Sequence, residues 1–271
     1  MNQLKIGVRF EGGLGDCLLA NRFVPAIKEL HKKSKITCVF DNNRSETFQI
    51  EVLKKFYPSF YHNFISISEF DKNNFDYFYN LHIDAMEWTK YDFDWLSRFY
   101  YFPKPDVKID KKDHICVHLT HDKWPPKNLD KTYITILINE LFRVHKKIKA
   151  ICTKSEIDSY SDVLDKVELI VSNVEDACIT VASSMAFITI DSGFKYMAYA
   201  NGVPTIETSD YHTNLGQVIP AVKSRWLPFN ERGVPIYSSP RTFSLILENI
   251  LDNKISCIFP FHTSNKETFK L

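Results

Sequence analysis

Residues 12–16 read Gly-Gly-Leu-Gly-Asp, between a short apolar run and a long amphipathic segment. A glycine-rich turn feeding a helix N-terminus brings unpaired backbone N–H groups close to whatever occupies the turn. Such a turn suits a phosphate, another anion or a reacting group, and Gly13 and Gly15 are its candidate ligand-binding positions. A plain strand-to-helix joint needing positive φ has the same composition. The carboxylate that closes the run, Asp16, has two readings: a general base or a cap on the following helix. A second stretch, ITIDSGFKYMAYANGVPTIE at 188–207, ends an apolar strand in Asp191-Ser192-Gly193. Asp191 and Ser192 can cap the next helix, Gly193 permits close backbone approach by a ligand, and Asn201-Gly202 reads as the helix stop.

The elements that must position these residues alternate regularly. Leu4 to Phe10 reads as a strand and Leu18 to Lys33 as a helix, with Leu18, Leu19, Phe23, Ala26, Ile27 and Leu30 near helical spacing. Ile36 to Asp41 is a strand and Ser45 to Phe56 a helix with Ser45 as its cap; His62 to Ile67 and Asp76 to Leu81 are short strands. The aromatic segment Trp88 to Phe102 is assigned to a helix packed on the sheet. Residues 103–113, PKPDVKIDKKD, carry prolines and charges with little to bury and form the linker. The pattern then restarts: strand at 114–119, helix from Leu129 to His145, strands at 148–153 and 167–172, helix at 175–184, strand at 186–190, helix at 194–201, strand at 203–207 and a closing helix at 241–251. Repeated strand–helix units on both sides of a linker predict two parallel-sheet domains, 1–108 and 109–271. Ligands of such sheets sit beyond the carboxyl ends of the strands, and between two such domains they sit in the cleft.

Composition narrows the function classes. The 271 residues suffice for two domains of ordinary size. Thirty-four Lys and Arg against thirty-three Asp and Glu leave a formal net charge of +1, which gives no electrostatic footprint for nucleic acid. Aromatic residues make up 14% of the chain, so it folds rather than staying disordered. No stretch is apolar over the ~18 residues a membrane span needs, and the N-terminus lacks a basic-then-apolar signal region. The six cysteines (17, 38, 116, 152, 178, 257) are scattered without a C-x-x-C pair and read as reduced core residues, which predicts a cytoplasmic protein. Neither G-x-x-x-x-G-K-[ST] nor G-x-S-x-G occurs, which excludes P-loop phosphoryl transfer and a nucleophile elbow. Asp92-Phe93-Asp94 has the D-x-D form of a metal site but no clean strand before it, and His118 and His121 lack a third ligand at metal spacing. His118 reads instead as a hydrogen-bonding residue ending its strand. No metal site is predicted.

Taken together, a strand, then G-G-L-G-D, then an amphipathic helix resembles the start of the heptosyltransferase-type glycosyltransferases of family 9. The later D-S-G-x-x-x-M-A-x-A-x-G-V-P-T is similar to that family's D-[ST]-G-x-x-H-[LM]-A-x-A-x-G-x-P-x signature. HLTHDKWPPKNLD at 118–130 resembles the family's strand-end loop bearing a lysine. ICTKSEID at 151–158 resembles the turn that supplies an acid to the donor's ribose. The resemblance covers both halves of the chain and is weak between about residues 45 and 110.

The resemblance implies an α/β, GT-B fold: two Rossmann-like domains facing a central cleft, the first for the acceptor and the second for the donor. It implies inverting, metal-independent transfer, with no cofactor, from a nucleotide-sugar such as ADP-heptose to a lipopolysaccharide-type or related glycan acceptor, with peripheral contact at the inner face of the membrane. Asp16 takes the place of the base. Lys123 and Lys127 compete for the cation that stabilises the leaving diphosphate, which helix N-termini also favour. Ser192, Gly193 and Phe194 would meet the phosphates through backbone groups, and Thr120 would add a hydroxyl. Glu156 would accept from ribose hydroxyls, unless it is a solvated surface residue. Two departures are explicit. Tyr196, preceded by Lys195, stands where the family has histidine, so the donor contacts of Asp191 to Tyr196 differ in detail and the sugar need not be heptose. The first half is also short, which implies a smaller or different acceptor. Three alternatives therefore stay open: a glycosyltransferase of protein acceptors, a sugar epimerase, and a nucleotide-sugar binding module without turnover.

Overall fold

The computed structural model describes residues 3–10, 12–40, 47–81, 102–122, 128–190, 192–207 and 248. The chain divides into two compact units, one built around Met1–Ile109 and the other around Asp110–Ala198.

The first unit holds strands β1 (Lys5–Arg9), β2 (Lys35–Phe40), β3 (Asn63–Ser66) and β4 (Tyr77–Asn80) in an all-parallel sheet of order β3-β2-β1-β4. β1 is therefore central, with Ile6 opposite Ile36 and Val8 opposite Cys38, and all four side chains are buried. Near-continuous apolar strands are what a parallel sheet covered by helices requires.

The single helix expected over residues 18–33 is two helices, α1 (Leu14–Asn21) and α2 (Val24–Leu30). Pro25 lies in the first turn of α2, where a missing N–H costs nothing; inside a continuous helix the same ring would clash and break a hydrogen bond. The start also moves. Gly13 is the N-cap of α1, so Gly15 and Asp16 belong to its first turn and not to the loop before it. Helix α3 (Thr47–Phe56) buries Gln49, Ile50, Val52, Leu53 and Phe56; Ser45, its expected cap, lies outside the described residues, as does the expected helix at 88–102 apart from Phe102, which is not helical.

The second unit holds β5 (Ile115–His118), β6 (Ile148–Ile151), β7 (Val167–Ile170), β8 (Ala186–Thr189) and β9 (Thr205–Glu207), again all parallel, in the order β7-β6-β5-β8-β9. Helix α4 (Lys131–Val144) is capped by Asp130, whose carboxylate accepts the Tyr133 N–H at 2.9 Å, and it buries Ile134, Leu137, Ile138 and Leu141 at helical spacing. Helix α5 (Val174–Ser183) is capped in the same way by Asn173. Helix α6 (Phe194–Ala200) stops where the sequence predicts: Gly202 has φ +63°, and the Val203 N–H donates to the Ala198 carbonyl at 2.9 Å. That is a Schellman closure, for which glycine is the unstrained residue. The expected closing helix at 241–251 lies outside the described residues except for position 248. Among the described residues, Cys17, Cys38, Cys116, Cys152 and Cys178 are buried and form no disulfide. Among the described residues no helix is long and apolar enough to cross a membrane.

Candidate functional site

In the second sheet the strand order reverses between β5 and β8: β6 and β7 lie on one side of β5, and β8 and β9 on the other. Helical connections leave in opposite directions at such a point and open a crevice beyond the carboxyl ends, where ligands of parallel sheets bind. Val117 pairs with Ile188 and His118 with Thr189, and the Ile190 N–H extends the ladder to the His118 carbonyl at 3.0 Å. The segments leaving these strand ends carry the residues singled out from the sequence. Thr120 follows β5, Ser192 to Phe194 follow β8, and Glu156 follows β6.

The joint after β8 is organised around Ser192. Its Oγ accepts the Phe194 N–H at 3.2 Å and lies 2.8 Å from His118 Nδ1. Ser192 is 5% exposed and His118 7%. The His118 imidazole packs edge-on against the Phe194 ring, with centroids 5.2 Å apart and planes at 88°. Burial, with a smaller push from His121, drives the His118 pKa down to about 3, so the ring is neutral at any physiological pH. The Ser192–His118 contact joins residues 74 apart in sequence and closes the switch point from both strands.

Thr120 is fully buried; its Oγ1 has no well-formed hydrogen bond, although the Tyr160 hydroxyl lies close enough to interact with it. The loop after β5 is closed at its base: the Leu129 N–H donates to the Leu119 carbonyl at 3.2 Å and the His121 N–H to Asn128 Oδ1 at 2.5 Å. Lys123 and Lys127 lie between these clasps in sequence but outside the described residues, as do Asp191, Asp92 and Asp94. Glu156 is 6% exposed, which excludes the solvated alternative, and its Oε2 accepts the Thr153 N–H at 2.6 Å, capping the 3-10 segment Lys154–Val163. Lys195 and Tyr196 are both buried in α6, with the Lys195 ammonium 5.5 Å from the centroid of the Tyr196 ring.

In the first unit, Asp16 Oδ2 accepts the Gly13 N–H at 2.6 Å, the reach-back bond of a third helical position to its N-cap. Gly12 makes this possible. Its φ is +93°, and a Cβ there would stand 2.0 Å from Asp16 Oδ2. The turn is further fastened by Gln49 of α3, whose Nε2 donates to the Gly12 carbonyl at 2.7 Å. Gln49 was not singled out from the sequence, yet a signal exists: it shares the apolar stripe with Leu53 and Phe56, where a polar side chain needs a partner. Among the described residues no three His, Cys, Asp or Glu side chains converge as a metal site would require.

No protein-family model matches the chain, and no curated protein matches it by sequence. Solved structures do match by shape. The ADP-heptose lipopolysaccharide heptosyltransferase II of E. coli superposes with a TM-score of 0.66 at 11% identity, covering 93% of this chain and 99% of that one. A family 9 glycosyltransferase from Veillonella parvula DSM 2008 gives 0.62 at 14% identity, covering 93% and 98%. The E. coli heptosyltransferase WaaC with ADP-2-deoxy-2-fluoro heptose gives 0.54 at 11%, covering 78% and 91%. The chain therefore has the α/β, GT-B fold shared by these heptosyltransferases and this family 9 glycosyltransferase.

Proposed function

We propose that the protein is an inverting, metal-independent glycosyltransferase that moves a sugar, with heptose the first to test, from a nucleotide-sugar donor to a glycan or lipid-linked saccharide acceptor. The observation that carries this is the grouping of Thr120, Ser192 and Gly193 at the strand-order reversal of the second sheet, within a fold shared with an ADP-heptose-dependent enzyme. The second unit holds the nucleotide diphosphate, its phosphates near Ser192, Gly193 and Phe194. Lys123 or Lys127 supplies the cation that stabilises the charge of the leaving group. Asp16 removes the proton of the acceptor hydroxyl. The acceptor oxygen then attacks the anomeric carbon, the bond from that carbon to the diphosphate oxygen breaks, and the nucleoside diphosphate leaves with the electron pair.

One observation favours a second reading, nucleotide-sugar binding without turnover: Asp16 Oδ2 is already engaged as a helix-capping acceptor. A carboxylate has a second oxygen, so capping and proton abstraction can coexist. The first experiment is a thermal-shift panel of ADP, UDP, GDP, CDP and their sugars, because a ligand that binds only the native state raises its apparent stability by mass action. Stabilisation by one nucleotide and its sugar, followed by release of that nucleoside diphosphate on adding acceptor glycan, is the expected outcome. A flat panel sinks both readings, and binding without release leaves the second.

A further inference from the structure

We infer that His118 touches the donor directly, its Nε2–H donating a hydrogen bond to an oxygen of the nucleotide diphosphate. This deepens the function proposed above and rests on the donor lying at the second sheet.

His118 is the last residue of the central strand β5, opposite Thr189 at the point where the strand order reverses. Its ring is held on three sides. Ser192 Oγ lies 2.8 Å from Nδ1, the Phe194 ring stands at 88° to it, and the His121 ring centroid is 6.4 Å away. Ser192 Oγ uses one lone pair on the Phe194 N–H, and in the arrangement inferred here it gives its proton to Nδ1, 2.8 Å away. A neutral ring that accepts at Nδ1 carries its proton at Nε2. Burial enforces the neutral form. Among the described residues, Nε2 makes no hydrogen bond, although the residue is only 7% exposed. Nε2 is not among the described side-chain polar atoms sealed from solvent without a partner, so a ligand oxygen can reach it. The crevice beyond the parallel strand ends, with Ser192 and Gly193 following β8 and Thr120 following β5, is where the phosphate oxygens lie in the reading above. The neutral imidazole serves there as an oriented donor, not as a charge.

Two side chains separate direct contact from mere support of Ser192. His118→Asn keeps an amide near the place of Nδ1, facing Ser192, and removes everything at Nε2. His118→Gln carries an amide N–H out toward the place of Nε2. Calorimetric titration uses ADP, UDP, GDP and CDP on wild type and both variants, with thermal midpoints checking that each is folded. His118→Asn should weaken the nucleotide that binds wild type by about 10- to 150-fold, the value of one hydrogen bond to a charged group, while His118→Gln should retain more of the affinity. Wild-type affinity in a folded His118→Asn overturns the assignment to His118 and leaves the donor reading standing. Absence of binding to wild type by all four nucleotides overturns both. Nitrogen NMR of the wild-type imidazole is an independent check that needs no variant: the proton must be on Nε2, and an Nδ1–H tautomer refutes the proposal.

Discussion

Replacing Asp16 by asparagine and by alanine separates two roles that one carboxylate combines. Asp16 Oδ2 accepts the Gly13 N–H at 2.6 Å, so the side chain caps α1 whatever else it does. Asparagine keeps an acceptor oxygen at that place and loses only the attraction of a negative charge to the helix N-terminus, about 0.3–1 kcal/mol. Alanine loses the acceptor too, at a cost of about 0.5–2 kcal/mol. At about 2–4 °C of melting temperature per kcal/mol for domains of 150–250 residues, the asparagine variant should melt within a few degrees of wild type and the alanine variant lower. Turnover should behave differently. Both variants lack the base, and loss of general-base catalysis lowers the rate by about 10²- to 10⁴-fold, or roughly 3–5 kcal/mol of barrier. The kinetic loss thus exceeds the capping loss in the asparagine variant, and the two variants should be equally slow although unequally stable. The assay is transfer of labelled sugar from the nucleotide-sugar that stabilises wild type, with calorimetric affinity for the nucleoside diphosphate expected to be unchanged. An asparagine variant that transfers at the wild-type rate would show that Asp16 is a cap alone and would refute the mechanism.

Further outcomes follow from the same geometry. Gly12→Ala forces a side chain into φ +93° with its Cβ 2.0 Å from Asp16 Oδ2, so it should destabilise by at least ~1–3 kcal/mol in urea unfolding; wild-type stability would mean the turn is not strained as described. His118 is neutral in the native state with a pKa of about 3 and titrates near 6.5 when unfolded, so its contribution is intact above pH ~6.5 and is lost as pH falls toward 3. Between those values His118→Gln should flatten the fall of stability with pH by up to about 1.4 kcal/mol per pH unit, and identical slopes in wild type and variant would count against a buried neutral ring. Lys123→Ala and Lys127→Ala should part company, one weakening nucleoside diphosphate binding by about 10- to 150-fold in a calorimetric titration and the other leaving it nearly unchanged; no effect in either removes lysine from the diphosphate.

The alternation of apolar runs with amphipathic segments was enough to place the nine strands among the described residues, most plainly the central β1, β5 and β8, because a covered parallel sheet imposes unbroken apolar strands that local composition records. Asn201-Gly202 was legible for a similar reason: a left-handed closing residue is a local demand. Pro25 could have divided the first helix in advance, since its ring forbids the intrahelical bond, but the continuous spacing of Leu18, Phe23, Ile27 and Leu30 concealed the break. The site was harder to read. Ser192 and His118 were each visible as strand-end polar residues, but their pairing depends on β8 lying next to β5, which follows from sheet order and from no local pattern. Glu156 was open to a surface reading because a buried capping carboxylate and a solvated one look alike in sequence. The link from Gln49 to Gly12 spans 37 residues and was equally out of reach, apart from the polar interruption of an apolar stripe.

In the proposed function a nucleoside diphosphate sits at the carboxyl edge of the second sheet, against Ser192 and Gly193. Gly193 lies at the joint between β8 and α6, where a valine side chain would stand in the path of the phosphates while the strands beneath stay packed. Calorimetric titration of the nucleoside diphosphate that stabilises wild type, repeated on Gly193→Val with its melting temperature recorded, tests this directly. One site per chain in wild type, abolished or severely weakened in a folded Gly193→Val, is the predicted result. Equal affinity in the two proteins would place the donor elsewhere and contradict the account.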